Sequence, residues 1–167
     1  MTRMVTIGAA QTGPIQRSDT RAEVVERLIA LLRQGAAAGC DLVVFPELTL
    51  TTFFPRWFVE DRAEFDHFFE TEMPGPETQP LFDEAVRLQV GFHLGYAELT
   101  PDGHHYNTAI LVEPTGQIVA RYRKVHLPGH EAHEPWRAFQ HLERYYFEAG
   151  PSFDVHRAFG GLMGMAI

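Results

Sequence analysis

The sequence predicts an α/β fold built on a mixed β-sheet, and three observations carry that expectation. Residues 5–10 and 41–45 are short apolar runs, and between them Val24, Val25, Leu28, Leu31, Leu32 and Gly35 recur at helical spacing. Strand, helix, strand implies a parallel pair with a right-handed crossover. Later segments are joined instead by the tight turns Pro101-Asp102-Gly103 and Glu113-Pro114-Thr115-Gly116, which imply antiparallel neighbours.

Residues 5–10, ahead of Gly13-Pro14, read as a fully buried strand followed by a loop. Thr20 and Glu23 form a capping-box pattern that starts the helix, and Gly39 stops it. Asp41-Leu42-Val43-Val44-Phe45 is apolar on consecutive positions, as in a strand covered on both faces. Pro46-Glu47 closes that strand and puts Glu47 outside a strand's carboxyl end, where open α/β sheets bind ligands. A charged residue directly behind a strand is also a common way for the chain to leave the core, and for Glu47 alone that reading outweighs catalysis. Residues 60–73 are expected to be helical, with Phe65, Phe68 and Phe69 on one core-facing side, until Met73-Pro74-Gly75-Pro76 breaks the pattern. Residues 77–88 read as the next helix, residues 90–99 as a third strand and residues 106–112 as a fourth. Residues 117–125 alternate as a fifth strand, with Ile118, Ala120, Tyr122 and Lys124 sharing a face. Residues 126–150 form a long loop with little periodicity, of a kind more often functional than idle. The end, Gly160-Gly161-Leu162-Met163-Gly164-Met165-Ala166-Ile167, reads as a turn and the start of a buried strand, which implies an interrupted chain. With no repeat or linker inside it, residues 1–167 are expected to be a single incomplete domain.

Composition narrows the function. The net charge is -8, from 22 acidic and 14 basic residues, so no basic face collects phosphates; a small organic substrate fits better than nucleic acid. No apolar run reaches the roughly 18 residues of a spanning helix, and the N-terminus lacks a signal-peptide pattern, so a soluble cytoplasmic protein without a membrane partner is expected. Neither Gly-x-Gly-x-x-Gly nor the phosphate-loop pattern occurs, so no nucleotide cofactor is expected. Of nine histidines, His126, His130, His133 and His141 fall in the long loop. His130-Glu131-Ala132-His133 is one residue shorter than the zinc-protease motif, and Gly129 and Pro135 oppose the helix it needs, so no metal site is assigned.

Lys124 is the only lysine among the 14 basic residues; the other thirteen are arginines. A compact ammonium kept in an arginine-rich chain marks a position where a planar guanidinium does not serve, although chance in a biased composition gives the same count.

Phe45-Pro46-Glu47-Leu48, the segment Tyr122-Arg123-Lys124-Val125-His126-Leu127 and the apolar Met163-Gly164-Met165-Ala166-Ile167 together resemble the nitrilase superfamily of carbon–nitrogen hydrolases. Within it, Thr51-Thr52-Phe53-Phe54-Pro55-Arg56-Trp57, Met73-Pro74-Gly75-Pro76, His126-Leu127-Pro128-Gly129-His130 and Phe139-Gln140-His141-Leu142-Glu143 resemble the N-carbamoyl-D-amino acid amidohydrolases. The resemblance implies a four-layer α-β-β-α sandwich of which this chain is the N-terminal part. It also implies a homo-oligomer, dimer or tetramer, acting on a small molecule without a cofactor. Carried over, Glu47 is the general base, Lys124 the cation for the oxyanion and Glu143 a second carboxylate that orients the lysine. His126 and His141 help to shape the pocket or bind the substrate carboxylate; a structural role is the other reading for both. The nucleophilic cysteine and the arginines that hold the substrate carboxylate would follow Ile167, so these 167 residues alone are expected to be inactive. Cys40, at a helix-to-strand junction beside the negative Asp41, reads as a small core residue instead. The chemistry suits these residue types: a urea-like carbonyl needs a strong nucleophile, a base for its proton and a cation for the developing charge. A related hydrolase of β-ureido acids or amides, and an inactive binding module lacking the thiol, are the alternatives.

Overall fold

The computed structural model describes residues 4–167, with Arg62 described by its backbone alone. Five strands form the main sheet in sequence order: β1 (Ile7–Ala9), β2 (Leu42–Val44), β3 (Gly91–Leu99), β4 (His105–Val112) and β5 (Ile118–Arg123). β1, β2 and β3 are parallel, while β4 and β5 are antiparallel to their neighbours. The mixed sheet is therefore as expected. The crossover between β1 and β2 is α1 (Arg21–Ala37), opened by the Thr20–Glu23 capping box, with both reciprocal hydrogen bonds made.

Strand alternation sorts the core into two faces. Val43, Phe92, Leu94, Ile110 and Val112 point to one side and pack against Val25, Leu28 and Leu32 of α1. On the same side lie Leu81, Phe82 and Ala85 of a second long helix, Gln79–Leu88, which follows the short α2 (Arg62–Asp66) and is here α3. The intervening residues Leu42, Leu111 and Ala120 point the other way, onto Ala158 and Phe159. Those two belong to a hairpin of β6 (Val155–Ala158) and β7 (Gly161–Gly164). Buried Glu98 ties three strands together, accepting from Thr108 Oγ1 at 2.7 Å and from Arg123 Nε at 2.8 Å. Burial pushes its carboxyl pKa up, but the hydrogen bonds from Arg123 and Thr108 prevail and leave it lowered. A third cluster, of Leu48, Phe54, Phe65, Phe68, Phe69, Tyr146 and Phe147, lies beyond the carboxyl end of β2. Among the described residues no helix is long and apolar enough to cross a membrane.

Four expectations are corrected. β1 is not fully buried: it is an edge strand, and Ile7 is 53% exposed. The helix expected over residues 60–73 shrinks to α2. The chain beyond it is pulled straight by main-chain bonds to β3, Glu70 N to Ala97 O at 2.8 Å and Leu99 N to Glu70 O at 2.9 Å, although the three phenylalanines do enter the core. The loop of residues 126–150 contains a single helical turn, α4 (Glu143–Tyr146). The final apolar run is not a buried strand: β7 pairs only with β6, and Leu162 is 68% exposed.

Glu84 clasps α1 to α3, accepting from Arg33 Nε at 2.5 Å and from Arg87 at 2.8 and 2.6 Å. Hydrogen bonds from Arg87 and then Arg33 pull its carboxyl down to about 2 from 4.5. A lowered folded-state value contributes stability above the unfolded value and loses it as pH falls towards the folded one. The urea midpoints of wild type and Glu84→Gln are therefore expected to differ above about pH 4.5 and to converge towards pH 2. Added salt should narrow the gap, since both arginine partners are largely exposed.

Candidate active site

Glu47 owes its position to a glycine on the neighbouring strand. After β2, Phe45 N still donates to His93 O at 3.0 Å, and Thr49 N donates to Gly95 O at 2.8 Å, so residues 46–48 lie directly against β3. A Cβ on Gly95 would stand 2.8 Å from Pro46 O and 3.0 Å from Glu47 Cα. Only a residue without a side chain lets that turn approach. Leu48, buried in the aromatic cluster, holds a left-handed φ of 46°, an unfavourable conformation that turns the chain immediately after the carboxylate.

Lys124 continues the inward phase of β5 after Ala120 and Tyr122 and is 6% exposed. Its N–H donates to Asn107 O at 2.8 Å, which anchors it to β4. Its ammonium donates to Glu47 Oε1 at 2.7 Å and to Glu143 Oε2 at 2.8 Å. Burial draws the ammonium pKa down, but the hydrogen bonds and charges of Glu143 and Glu47 prevail and leave it raised.

Glu143, 2% exposed, opens α4, and that single turn is held by tertiary contacts rather than by helix propensity. Tyr146 Oη accepts from Val59 N at 2.9 Å and donates to Trp57 O at 2.6 Å, while its ring meets Phe54 edge-on at 5.1 Å. Leu142 N donates to Pro55 O at 2.8 Å. Gly129, at φ 75°, lets the incoming loop pass His141, whose carbonyl a Cβ there would overlap at 2.0 Å, and His130 N then donates to His141 O at 2.9 Å.

The structure thus brings Glu47, Lys124 and Glu143 together from three distant segments. His141 joins them, its Nε2 3.0 Å from Glu143 Oε1 and its ring 6.0 Å from Phe53. His126 does not; it lies beside Phe153 with ring centroids 5.7 Å apart. His133 stacks on Phe58 at 4.1 Å, and His130 lies 3.7 Å from Glu134. Cys40 packs at the edge of the helix-covered core.

One residue missed in the sequence completes the arrangement. Asn107, fully buried on β4, donates through Nδ2 to Glu47 Oε1 at 2.6 Å while its backbone carbonyl holds Lys124. An amide just ahead of the largely apolar stretch Thr108-Ala109-Ile110-Leu111-Val112 is the signal that could have found it. Glu47 is the open end of the group. Its side chain is 35% exposed, against 8% and 2% for Lys124 and Glu143, and it lines a cavity of about 310 Å³. A base facing the cavity, a cation behind it and a sealed second carboxylate can accept a proton and stabilise charge on a carbonyl oxygen.

Comparison with known proteins identifies the family. The sequence profile of the carbon-nitrogen hydrolase family matches residues 6–167. The chain belongs to that family. A formamidase from Bacillus thuringiensis (strain Al Hakam) is 32% identical over 137 residues, covering 75% of this chain and 37% of the relative. The chain therefore spans little more than a third of that hydrolase's length. Saccharomyces cerevisiae Nit3, a member of branch 10 of the nitrilase superfamily, superposes with a TM-score of 0.74 at 18% identity, covering 97% of this chain and 54% of its own. A mutant of the amidase from Nesterenkonia sp. AN1, in which acrylamide has added to the active-site cysteine, gives 0.74 at 17% identity, covering 98% and 57%. These likenesses place the family member within the nitrilase fold.

Asn107→Leu should leave the fold standing but free the Glu47 carboxylate to rotate. Turnover by the complete protein is expected to fall by up to about a hundredfold, because small misplacements of a reacting group have effects of that order. Steady-state kinetics alongside a far-UV circular dichroism melt would check it; unchanged turnover removes Asn107 from the site.

Proposed function

We propose that the complete protein is a cysteine-dependent amidohydrolase that removes the carbamoyl group of N-carbamoyl-D-amino acids, giving D-amino acid, ammonia and carbon dioxide. The observation that carries the reaction class is the Lys124 ammonium held between Glu47 and Glu143 at 2.7 and 2.8 Å. The narrower substrate is supported by the resemblance of the Thr51–Trp57, His126–His130 and Phe139–Glu143 motifs.

In this reading a thiol from beyond Ile167 gives its proton to Glu47 and attacks the carbonyl carbon. Lys124 donates to the oxyanion, which needs a donor already in place and already charged. Its raised pKa keeps the ammonium protonated through neutral pH. Collapse breaks a carbon–nitrogen bond as Glu47 returns the proton to the leaving nitrogen. Water, deprotonated by the same carboxylate, then releases the acyl group from sulfur, and the carbamate formed yields ammonia and carbon dioxide. Glu143 orients Lys124, and His141 lies over its second oxygen. The active-site cysteine of the Nesterenkonia amidase provides a precedent for thiol chemistry in the same fold. The enzyme would work as a homo-oligomer in the cytoplasm.

A second reading, a hydrolase of simple amides, draws on the 32% identity to a formamidase. Parallel assays with N-carbamoyl-D-alanine, N-carbamoyl-L-alanine, a β-ureido acid and formamide separate the two; turnover of formamide alone would overturn the carbamoyl reading. Labelling with a thiol reagent that leaves no reactive cysteine would instead favour the inactive binding module. Lys124→Arg is expected to abolish turnover with the fold intact, since a guanidinium cannot take the two hydrogen bonds at one nitrogen in the same geometry. In wild type, the Lys124 contribution to stability should be fully present below the ordinary lysine value of 10.5 and be lost as pH rises from there through its raised value, as urea midpoints at alkaline pH would reveal.

A further inference from the structure

A cavity of about 220 Å³ lies on the face of the sheet opposite to Lys124, lined by Tyr96 and Glu98 of β3, Arg121 of β5, Glu70 and Glu72. Tyr96 and Glu98 continue the helix-facing phase of Phe92 and Leu94, and Arg121 pairs with Ile110, which shares that phase. Most of the charge there is already engaged. Glu98 accepts from Arg121 at 3.1 Å, from Arg123 at 2.8 and 3.0 Å and from Thr108 at 2.7 Å. Glu70 is paired with Arg21 at 2.5 Å. Two capacities are left over. The Arg121 side chain is 44% exposed and gives Glu98 a single N–H, its other donors making no hydrogen bond to a described residue. Glu72 is exposed and has no ion-pair partner among the described residues.

Tyr96 adds a third. It is 2% exposed, and its hydroxyl makes no hydrogen bond to a described residue. Buried hydroxyls are normally satisfied, so an unfilled one in a cavity wall points to an occupant. Burial and then the charge of Glu98 push its pKa up, which keeps it a donor at neutral pH. Donors at Arg121 and Tyr96 suit a carboxylate, and the unpaired Glu72 suits a cation. A small molecule with both ends is a zwitterion. We propose that this cavity binds a free amino acid, with its carboxylate at Arg121 and Tyr96 and its ammonium at Glu72. Met73 adds apolar surface for the side chain, and about 220 Å³ admits a small amino acid and no polymer. An N-carbamoyl acid lacks the ammonium, because a ureido nitrogen is not basic, so the site selects product over substrate. That the occupant is the product rests on the proposed reaction; its binding does not.

The test is calorimetric binding of D-alanine to the complete protein, with propionate, which lacks the ammonium, and ethylamine, which lacks the carboxylate, as comparisons. Wild type is expected to bind D-alanine at least about tenfold more tightly than either. Arg121→Gln and Glu72→Gln should each weaken D-alanine about tenfold, and Tyr96→Phe, which keeps the ring and removes only the hydroxyl, about fivefold. Circular dichroism melts accompany the variants; if Arg121→Gln does not fold, Tyr96→Phe and Glu72→Gln decide the matter. No D-alanine binding by wild type means that the cavity holds water alone and overturns the site. So does equal affinity for propionate, or D-alanine binding that neither Tyr96→Phe nor Glu72→Gln weakens, as retention of product beside Glu47 would give. Hydrolysis of N-carbamoyl-D-alanine is measured in parallel. D-alanine binding that depends on these side chains, without that hydrolysis, upholds the site and sinks the carbamoyl reading instead.

Discussion

A buried ammonium shared by two carboxylates is the constraint to which the rest of the molecule answers. Three charges in a largely sealed space are tolerated only if each is hydrogen-bonded, because their desolvation is otherwise worth several kcal/mol per ion. Lys124 satisfies Glu47 and Glu143 in single directed contacts, His141 faces the other oxygen of Glu143, and Asn107 shares Glu47 Oε1 with the lysine. The three charged groups come from a strand end, another strand end and an isolated helical turn, so their meeting requires strand order, loop path and aromatic packing to agree. Glu98, across β3 to β5, and Gly95, under residues 46–48, are the less visible parts of that agreement.

How much of this is legible in the sequence depends on the range of the interaction concerned. Local signals are reliable. The Thr20–Glu23 capping box, the turns at Pro101-Asp102-Gly103 and Glu113-Pro114-Thr115-Gly116, and the alternation ending at Lys124 depend on neighbours within a few residues. Glu47 stands out by its place after a strand, and Lys124 by composition. Glu143 is reachable only through family resemblance, since its turn has no helical periodicity and is held by Tyr146, Phe54 and the main chain at residues 55–59.

The misreadings have the same origin. Residues 60–73 carry helical spacing, but main-chain bonds from Glu70 to β3 override it after one turn and a half. Ile7 reads as core because apolarity alone does not distinguish a central strand from an edge one. Asn107 escapes notice because one amide in a strand usually marks the solvent side, whereas here it faces a carboxylate within the fold. The family profile and the fold likeness each draw on nearly the whole chain rather than on single residues, so neither depends on such misreadings.

The solitary lysine has a practical corollary. Across these 167 residues there is a single ε-amine, and it sits 6% exposed behind Glu47. An amine-directed reagent acting on the side chains of this stretch therefore reads out one atom rather than a scatter of surface positions. Protection of that amine means that the carboxylate clamp is closed, and its modification means that the clamp has opened, so acylation doubles as a gauge of site integrity.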